Sequence, residues 1–401
     1  MSDPTEQARA HFFAGNAHFE AGRLDAARAD FEAALALAPG RASVLANLGV
    51  TLCRLRQWPD AITTLDAALL ADPTHADAWA ALGLCREATG QWAGAVHALQ
   101  RAMDLGVRSG ALQLSLAMCL QQDGHLPESL AALDEALAID PALGEAWSQR
   151  GHLMREAGHL AEAERCYRQA LQHGADDEFN RYCLAAVLDL PEPPAPPARY
   201  AETLFDEYAD DFQDHLVAQL KYTAHETLLA PLLREGRRFA HVLDLGCGTG
   251  LCGQRIRDHA DAVDGVDLAQ AMVERSRASG AYRRVEQGDL LGFLQAQTEP
   301  ADLVIAADVF IYVGALDAVF EAVRARLQPG ACFAFSVELA SDGSELKLLP
   351  SLRYAHSPAY IDRLAALNGF RVRQSWQAPL REDQQKPVMG LYVLLEPVAS
   401  A

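Results

Sequence analysis

The sequence predicts two unlike parts, a solenoid of paired α-helices over the first half and an α/β domain with a doubly wound, mostly parallel sheet over the second. Two observations predict this arrangement. Small residues recur with a period of 34 over residues 8–177, and from residue 241 onward short apolar runs end in acids. A proline-rich segment separates the two patterns, so the expected domains are residues 1–190 and 199–401, with a linker at 191–198.

The periodic half contains five repeats in one register. Small residues recur in columns, as they do where two helices must approach closely. One column consists of Gly15, Gly49, Gly83, Ala117 and Gly151. Two others consist of Ala27, Ala61, Ala95, Ser129 and Ala163, and of Ala34, Ala68, Ala102, Ala136 and Ala170. The pattern predicts ten antiparallel helices stacked as a solenoid.

These columns resemble the tetratricopeptide repeat. Trp79 and Trp147 stand at its tryptophan position, and later aromatic positions are filled by Phe31 and Tyr167. The resemblance implies a groove that binds a peptide or another protein. The polar residues that could line this groove, or could equally be solvated helix faces, are Asn16, Asn47, Arg54, Arg86, Gln113 and Arg150. A final helix within Asp176–Leu190 is expected to cap the solenoid.

The linker has the sequence Pro191-Glu-Pro-Pro-Ala-Pro-Pro197. So many prolines cannot be helical throughout, because each lacks a backbone N–H and fixes its own φ angle. We therefore expect a semi-rigid, extended spacer between the domains.

The second half opens on a glycine-rich turn, Val242-Leu-Asp-Leu-Gly-Cys-Gly-Thr-Gly250. Its apolar start predicts a buried parallel strand, and the glycines let the backbone turn sharply against a ligand. The spacing is G-x-G-x-G, and Leu251 stands where a dinucleotide fingerprint needs its third glycine. Asp244 at the end of the strand suits a cationic amino group better than a pyrophosphate. The turn therefore indicates a nucleoside cofactor.

This turn resembles the first motif of class I S-adenosylmethionine-dependent methyltransferases. The whole chain resembles bacterial predicted methyltransferases that carry tetratricopeptide repeats. The resemblance implies a Rossmann-like α/β domain whose sheet has about seven strands, mostly parallel with one reversed, and S-adenosylmethionine as the cofactor. Further strands are expected at residues 262–266, 283–286, 301–308, 331–337, 371–377 and 388–395, with a helix at 316–327.

Three further acids, Asp267, Asp289 and Asp308, end the next apolar runs. The carboxyl ends of parallel strands lie on one rim, so these acids could converge on one ligand. By resemblance, Asp267 accepts the ribose hydroxyls, Asp289 with Leu290 frames the adenine, and Asp308 faces the methionine end. The alternative is that each acid caps the helix that follows it. The residues expected to bind the cofactor are Asp244, Gly246, Cys247, Gly248, Thr249, Gly250, Asp267, Leu268, Asp289, Leu290, Asp308, Val309 and Tyr208.

Tyr208 belongs to an amphipathic segment, Tyr200–Leu216, that precedes the first strand. Its apolar residues recur at helical spacing and predict a packing stripe. Related enzymes that act on small acceptors carry a similar stretch as a lid over the cofactor. By that resemblance Tyr208 contacts the cofactor, and Phe212 and His215 are further candidates.

The acceptor site has weaker signals. Methyl transfer from a sulfonium is an in-line displacement that needs alignment, exclusion of water and sometimes a general base. His356 and Glu338 are the candidate bases, although a histidine before a serine could simply orient the next helix. The residues expected at the acceptor are Tyr312, Arg353 and Tyr354. No Asn-Pro-Pro-Tyr pattern follows Asp308, which argues against methylation of a nucleobase or a glutamine amide.

Composition excludes several classes of function. A formal net charge of −20 argues against a nucleic acid substrate, because binding to a polyanion normally needs a basic patch. The eight cysteines form no C-x-x-C pairs, which favours reduced thiols in the cytoplasm and indicates no metal site. We find no signal peptide or membrane span in the sequence and expect a cytoplasmic enzyme that is not associated with membranes.

Three functions remain open from the sequence. The chain could methylate a protein, or a small molecule carried by a protein, with the repeats recruiting it. It could methylate a free metabolite, with the repeats serving only assembly. It could also be a scaffold that binds the cofactor without turnover, although the complete set of acids and glycines argues against this reading. The sequence fixes neither the acceptor atom nor the oligomeric state.

Overall fold

The structure is a computed structural model that describes residues 3–175, 177–190, 193–197, 200, 222–340, 342–383 and 386–398. Contacts divide the chain into two compact units, Met1–Asp176 and Asp177–Ala401. None of the helices in these described ranges combines the length and the apolar composition that a bilayer crossing requires.

The first unit is helical over its described residues. Its helices are α1 Pro4–Glu20, α2 Leu24–Leu37, α3 Ala42–Arg54, α4 Trp58–Ala71, α5 Ala76–Ala88, α6 Trp92–Asp104, α7 Gly110–Gln122, α8 Leu126–Ile139, α9 Gly144–Glu156 and α10 Leu160–Gln172. They pack as consecutive antiparallel pairs, each pair being one repeat. The predicted helical solenoid is confirmed.

The glycine column lies where the two helices of a repeat touch. A Cβ on Gly15 would lie 2.6 Å from Cε1 of Phe31, and one on Gly83 would lie 2.6 Å from Cγ of Leu99. A side chain at either position would therefore force the helices apart. The alanine columns are buried as well, since Ala27 and Ala61 have no exposed surface. Small residues thus set the spacing of the helices in the repeats.

The helix that follows the repeats, α11 Asp177–Leu188, groups with the second unit. We expected it to cap the solenoid. Tyr182 explains the difference, because its hydroxyl donates to the carbonyl oxygen of Leu352 at 3.0 Å and its ring lies 6.3 Å from that of Tyr354. Tyr182 is 2% exposed, so this helix covers an apolar part of the α/β unit.

The second unit alternates strands with helices. Its strands are β1 Phe239–Leu245, β2 Ala260–Asp267, β3 Arg284–Gln287, β4 Ala301–Ala306, β5 Leu327–Leu339, β6 Leu346–Leu348, β7 Tyr354–His356, β8 Phe370–Asp383 and β9 Lys386–Pro397. Its helices after α11 are α12 Ala224–Arg234, α13 Leu251–Ile256, α14 Gln270–Ala278, α15 Leu290–Ala296, α16 Asp317–Arg326 and α17 Pro358–Leu367, with short 3-10 helices at Arg257–His259 and Phe310–Tyr312.

The strands form one sheet in which β3, β2, β1, β4 and β5 lie side by side in parallel. β9 then pairs with β5 antiparallel, and β8 pairs with β9. These seven strands, with β9 reversed, confirm the predicted sheet. The short strands β6 and β7 were not predicted, and β7 extends the carboxyl end of β5 by pairing with Glu338 and Leu339.

The sheet is covered on both faces, as alternation along β4 shows. Val304 and Ala306 belong to one apolar cluster, with Phe320 of α16, whereas Leu303 and Ile305 belong to another, with Leu229 of α12. A period of two with both faces buried is the pattern of a central parallel strand. The carboxyl ends of β1, β2, β4 and β5 therefore open at the rim where we expected the ligand.

Candidate active site

The glycine-rich turn lies directly after β1. Gly246, Gly248 and Gly250 have φ angles of 64°, 54° and 91°, which favour glycine. A Cβ on Gly246 would lie 2.6 Å from Cγ2 of Val309, so this position must be glycine for the segment after β4 to pack against the turn. A Cβ on Gly248 would meet no atom within 4 Å. One face of the turn is therefore open for a ligand.

Asp267, at the end of β2, is tied to this turn. Its Oδ2 accepts a hydrogen bond from the backbone N–H of Gly248 at 2.9 Å, and its Oδ1 accepts one from Ala269 at 3.1 Å. The side chain is 9% exposed. These two hydrogen bonds hold the carboxylate of Asp267 in place beside the open face of the turn.

Asp244, the last acid of β1, is 1% exposed. Its Oδ2 accepts a hydrogen bond from the hydroxyl of Tyr282 at 2.6 Å. Burial raises the pKa of Asp244 to about 7, while the bond from Tyr282 opposes that rise. A cation placed beside this carboxylate would stabilise its ionised form.

Tyr282 is a site residue that the sequence interpretation missed. Its hydroxyl also accepts a hydrogen bond from the backbone N–H of Gly253 at 3.1 Å. Its ring fills the space that a Cβ on Gly253 or Gly265 would occupy. The available signal was these two glycines, which lie in a helix and a strand where glycine is otherwise unfavourable.

Cys247 and Thr249 lie inside the turn. Cys247 is buried beside Ser276, whose hydroxyl lies 3.4 Å from its sulfur, and burial raises the pKa of its thiol. The thiol is thus a packing group. Thr249 is 5% exposed, and its Oγ1 has no hydrogen-bond partner among the described residues. A buried hydroxyl without a partner is unfavourable, so a polar ligand atom would satisfy it.

The adenine side is more open. Asp289 is exposed and caps α15, its Oδ1 accepting from the backbone N–H of Gly292 at 2.8 Å. The helix-capping alternative is therefore realised at this acid. Leu268 is 37% exposed at the same rim, while Leu290 packs partly against the core. An exposed leucine beside a capped acid suits the face and edge of an aromatic base.

At the carboxyl ends of β4 and β5 lies a buried charge cluster of Asp308, Glu338 and Arg381. Nη1 of Arg381 donates to both carboxylate oxygens of Asp308 at 3.0 Å, and its Nη2 donates to Glu338 at 2.7 Å. Arg381 is 3% exposed and its Nε has no partner among the described residues. Asp308 has a φ angle of 58°, a conformation that is strained for a non-glycine residue.

Arg381 changes the expectations for both acids. Asp308 was expected to face the methionine end of the cofactor, and its carboxylate is engaged by Arg381. Glu338 was expected to act as a base. Burial raises its pKa, but the Arg381 guanidinium opposes that rise and occupies the carboxylate. The sequence interpretation missed Arg381, because an arginine in an edge strand carries no sign of the partners it meets in the folded chain.

His356 does not reach an open surface. It has no exposed area, and its Nε2 lies 2.7 Å from the carbonyl oxygen of Gly314, to which it donates. Burial lowers its pKa to about 4. Its ring stacks against that of Tyr360 at 5.7 Å. This environment argues against the general-base role, because the ring has no exposed surface at which to meet an acceptor and its lowered pKa makes it a weak base.

The expected acceptor residues lie in different surroundings. Tyr354 is buried, and its hydroxyl donates to the carbonyl oxygen of Pro194 at 2.5 Å, so it packs the interior of the unit and does not meet an acceptor. Tyr312 and Arg353 are half-buried. Tyr208, Phe212 and His215 lie outside the described residues.

Comparison with known proteins identifies the two kinds of domain in the chain. Residues 243–333 match the family described as a methyltransferase domain. The second unit therefore carries a methyltransferase domain. Residues 18–85, 86–143 and 144–177 match tetratricopeptide repeat families. The methyltransferase domain, the repeats, the fold class and the cofactor predicted from the sequence are thereby confirmed.

Two curated relatives that match part of this chain are malonyl-[acyl-carrier protein] O-methyltransferases. The one from Enterobacter lignolyticus is 33% identical over 42% of this chain and 66% of its own length. The one from Geobacter sulfurreducens is 30% identical over 39% of this chain and 59% of its own length. The chain therefore spans less than two thirds of the length of these relatives. Among solved structures, magnesium protoporphyrin IX methyltransferase from Synechocystis is 17% identical over 50% of this chain and 96% of its own, with a TM-score of 0.39.

Proposed function

We propose that this protein transfers the methyl group of S-adenosylmethionine to an acceptor that is a protein or is carried by one, and that the repeats recruit that partner. The observation that supports cofactor binding lies at the glycine-rich turn. There Asp267 accepts a hydrogen bond from the N–H of Gly248, beside the open face of the turn. When bound, S-adenosylmethionine supplies a methyl group already activated on a sulfonium.

The residues present fit this cofactor. The partnerless hydroxyl of Thr249 and the open side of Gly248 leave room and a hydrogen-bonding group for it. Asp267 would hold the ribose hydroxyls, and Asp244 would favour the cationic amino acid end. Leu268 and Asp289 would flank the base. Of the cofactor residues expected from the sequence, this proposal uses Asp244, Gly248, Thr249, Asp267, Leu268 and Asp289. It adds Tyr282 as the support of Asp244.

The cluster of Asp308, Glu338 and Arg381 would form the wall beyond the methyl group. Both carboxylates are held by one guanidinium, so their positions are fixed before any acceptor arrives. Within this cluster the chain's own contribution is alignment and exclusion of water, because neither acid is free to take up a proton without breaking its bond to Arg381.

Two features support a protein-borne acceptor. The curated relatives named above act, by their names, on a group carried by an acyl-carrier protein. The same chain also carries five repeats of a kind that generally binds peptides or proteins. A methyltransferase that meets its acceptor on a protein gains from a second binding site, because linkage raises the effective concentration of the acceptor.

The test uses the full chain. It is incubated with a cell lysate and S-adenosylmethionine labelled in the methyl group, and the label is then sorted between protein and small-molecule fractions. Label on protein, or on a group released from protein by mild base, is the expected result. An Asp267→Ala variant should leave both fractions unlabelled and serves as the control.

Two outcomes would overturn this proposal. Label in free small molecules alone would assign a free metabolite as the acceptor, with the repeats serving assembly. No label in any fraction, together with normal cofactor binding by calorimetry, would assign a scaffold without turnover.

A further inference from the structure

The repeats contain a cavity of about 580 Å³ bounded by α8, α9 and α10. Its lining includes Trp147, Leu137 and Cys166, together with the arginines Arg150, Arg165 and Arg168. This volume lies within the range of sites that bind small ligands or the side chains of a peptide.

Arg150 marks this cavity as different from the rest of the solenoid. The same position of the second, third and fourth repeats holds Leu48, Leu82 and Leu116, which are at most 7% exposed and belong to the apolar core. In the fifth repeat the position holds a guanidinium. A charged side chain in a column that otherwise packs the core costs stability, and such departures from a local rule concentrate at functional sites.

The guanidinium of Arg150 is anchored but not saturated. Its Nε donates to Oδ1 of Asp134 at 2.8 Å, and its Nη1 donates to Sγ of Cys166 at 3.2 Å. Its Nη2 makes no hydrogen bond to any described residue. The neighbouring Arg165 is 76% exposed, and its nearest acid among the described residues is Glu162 at 4.0 Å. Two guanidinium groups at one cavity thus keep donors available.

We propose that this cavity binds an acidic peptide segment. A carboxylate of the segment accepts hydrogen bonds from Arg150 and Arg165, in the planar geometry that guanidinium groups favour. An adjacent apolar side chain of the segment packs against Trp147 and Leu137. The inference rests on the recruiting role proposed above and names the chemistry of the partner.

The net charge of the chain does not oppose this partner at short range. Charges more than about 8 Å away are largely screened at physiological ionic strength. The ionisable groups that line the cavity are three arginines against Asp134 and Glu162. With Glu164, which pairs with Arg168 at 2.8 Å, the charges around the cavity balance, so the cavity does not share the excess of negative charge that gives the chain its −20.

The experiment probes an array of random octapeptides with the full chain and with an Arg150→Leu variant. Leucine restores the residue of the preceding repeats, so this variant should fold at least as stably as the natural chain. We expect peptides rich in Asp or Glu, with an apolar neighbour, to be bound by the natural chain and lost with the variant. In solution, fluorescence anisotropy of the best peptide should show a dissociation constant at least about tenfold higher for Arg150→Leu.

Arg101→Leu is the matched control, because Arg101 is a partly exposed arginine of α6 that does not line the cavity. It should bind the same peptide as the natural chain does. Identical peptide selection by the natural chain and Arg150→Leu, or selection of basic peptides, would overturn the inference. Since no methyl transfer is measured, loss of the inferred site and failure of the proposed enzyme activity are distinguishable.

Discussion

The two units bury different kinds of polar side chain. In residues 3–175 the buried polar side chains are hydroxyls, Thr51, Ser129 and Ser148. The hydroxyl of Ser129 donates to the carbonyl oxygen of Ala117 at 2.7 Å, and that of Thr51 donates to Asn47 at 2.6 Å. In the described part of the second unit the buried polar side chains include the ionisable groups of His241, Asp244, Asp264, Asp267, Asp302, Glu338, His356 and Arg381.

This difference reflects the unequal free-energy cost of burying a hydroxyl and burying a charge. A hydroxyl that bonds to a neighbouring backbone carbonyl is buried at little cost. A buried charge costs several kcal/mol unless other groups pair with it, so a chain that buries several has to position their partners too. In residues 3–175 the acids and arginines therefore remain at least partly exposed, whereas the α/β unit buries ionisable groups along its strands.

The largest expected effect on stability follows from substitution of Arg381, the cation of the buried charge cluster. Arg381→Met would leave Asp308 and Glu338 without their shared partner in the interior, and should lower the free energy of unfolding of the second unit by about 3–5 kcal/mol. Hydrogen exchange with mass spectrometry resolves the two units. Arg371→Met is the control on the same strand, since its pair with Glu396 is at the surface, and should cost less than about 1 kcal/mol. Similar losses of unfolding free energy in both variants would contradict the role of Arg381 as the shared partner of Asp308 and Glu338.

The next effect concerns cofactor binding. Asp267→Ala removes the acceptor for two backbone N–H groups and for the ribose hydroxyls, and should raise the dissociation constant of S-adenosylmethionine about a hundredfold, or about 3 kcal/mol. Isothermal calorimetry measures it. Asp261→Ala, on the same strand but exposed, should leave the affinity unchanged. Unchanged affinity for Asp267→Ala would remove the basis of the proposed cofactor site.

A pair of glycine substitutions tests whether the two units act independently in cofactor binding. Gly83→Ala meets Leu99 in the repeats, and Gly253→Ala meets the ring of Tyr282. Each should destabilise its own unit by about 1–3 kcal/mol through overpacking. Only Gly253→Ala should also weaken cofactor binding, because Tyr282 supports Asp244. A loss of cofactor affinity in Gly83→Ala would show that the units are coupled in binding.

The smallest effect is a pH dependence. The free protein holds the pKa of Asp244 at about 7, and a cationic ligand favours the ionised form. Cofactor affinity should therefore be full above pH 7 and fall by up to about tenfold for each pH unit below it. Tyr282→Phe removes a bond that lowers this pKa, so the fall should begin at a higher pH. Calorimetry between about pH 5.5 and about pH 7.5, a range chosen around the pKa of about 7, measures the affinity of both proteins. The Asp244→Asn variant is the control, because its affinity should not depend on pH in this range.

Much of the fold could be predicted because its signals are local. The repeat columns require only a fixed spacing, and Gly15 and Gly83 meet their partners within the same repeat. The strands could be placed from apolar runs, and their acids from strand ends. The boundary differed, since α11 groups with the second unit through Tyr182, a contact that spans 170 residues of chain.

The site was predicted unevenly for the same reason. Asp267 and the glycines lie at the carboxyl ends of two neighbouring parallel strands, so the strand pattern of the sequence predicts that they are close. Arg381 reaches Asp308 across 73 residues, and Tyr282 reaches Asp244 across 38, so neither pairing has a signature in spacing. His356 was a candidate base from its residue type and its place beyond the strand ends, whereas its burial and its hydrogen bond to Gly314 arise only in the folded chain.

The sequence by itself determined that this protein joins five helical repeats to an α/β methyltransferase domain and that acids end its strands beside a glycine-rich turn. Only the tertiary structure decided which acids remain open to a ligand and which are neutralised inside the protein. The physical reason is that spacing along the chain fixes secondary structure and strand ends, while the charge state of a carboxylate depends on burial and on partners that distant segments supply.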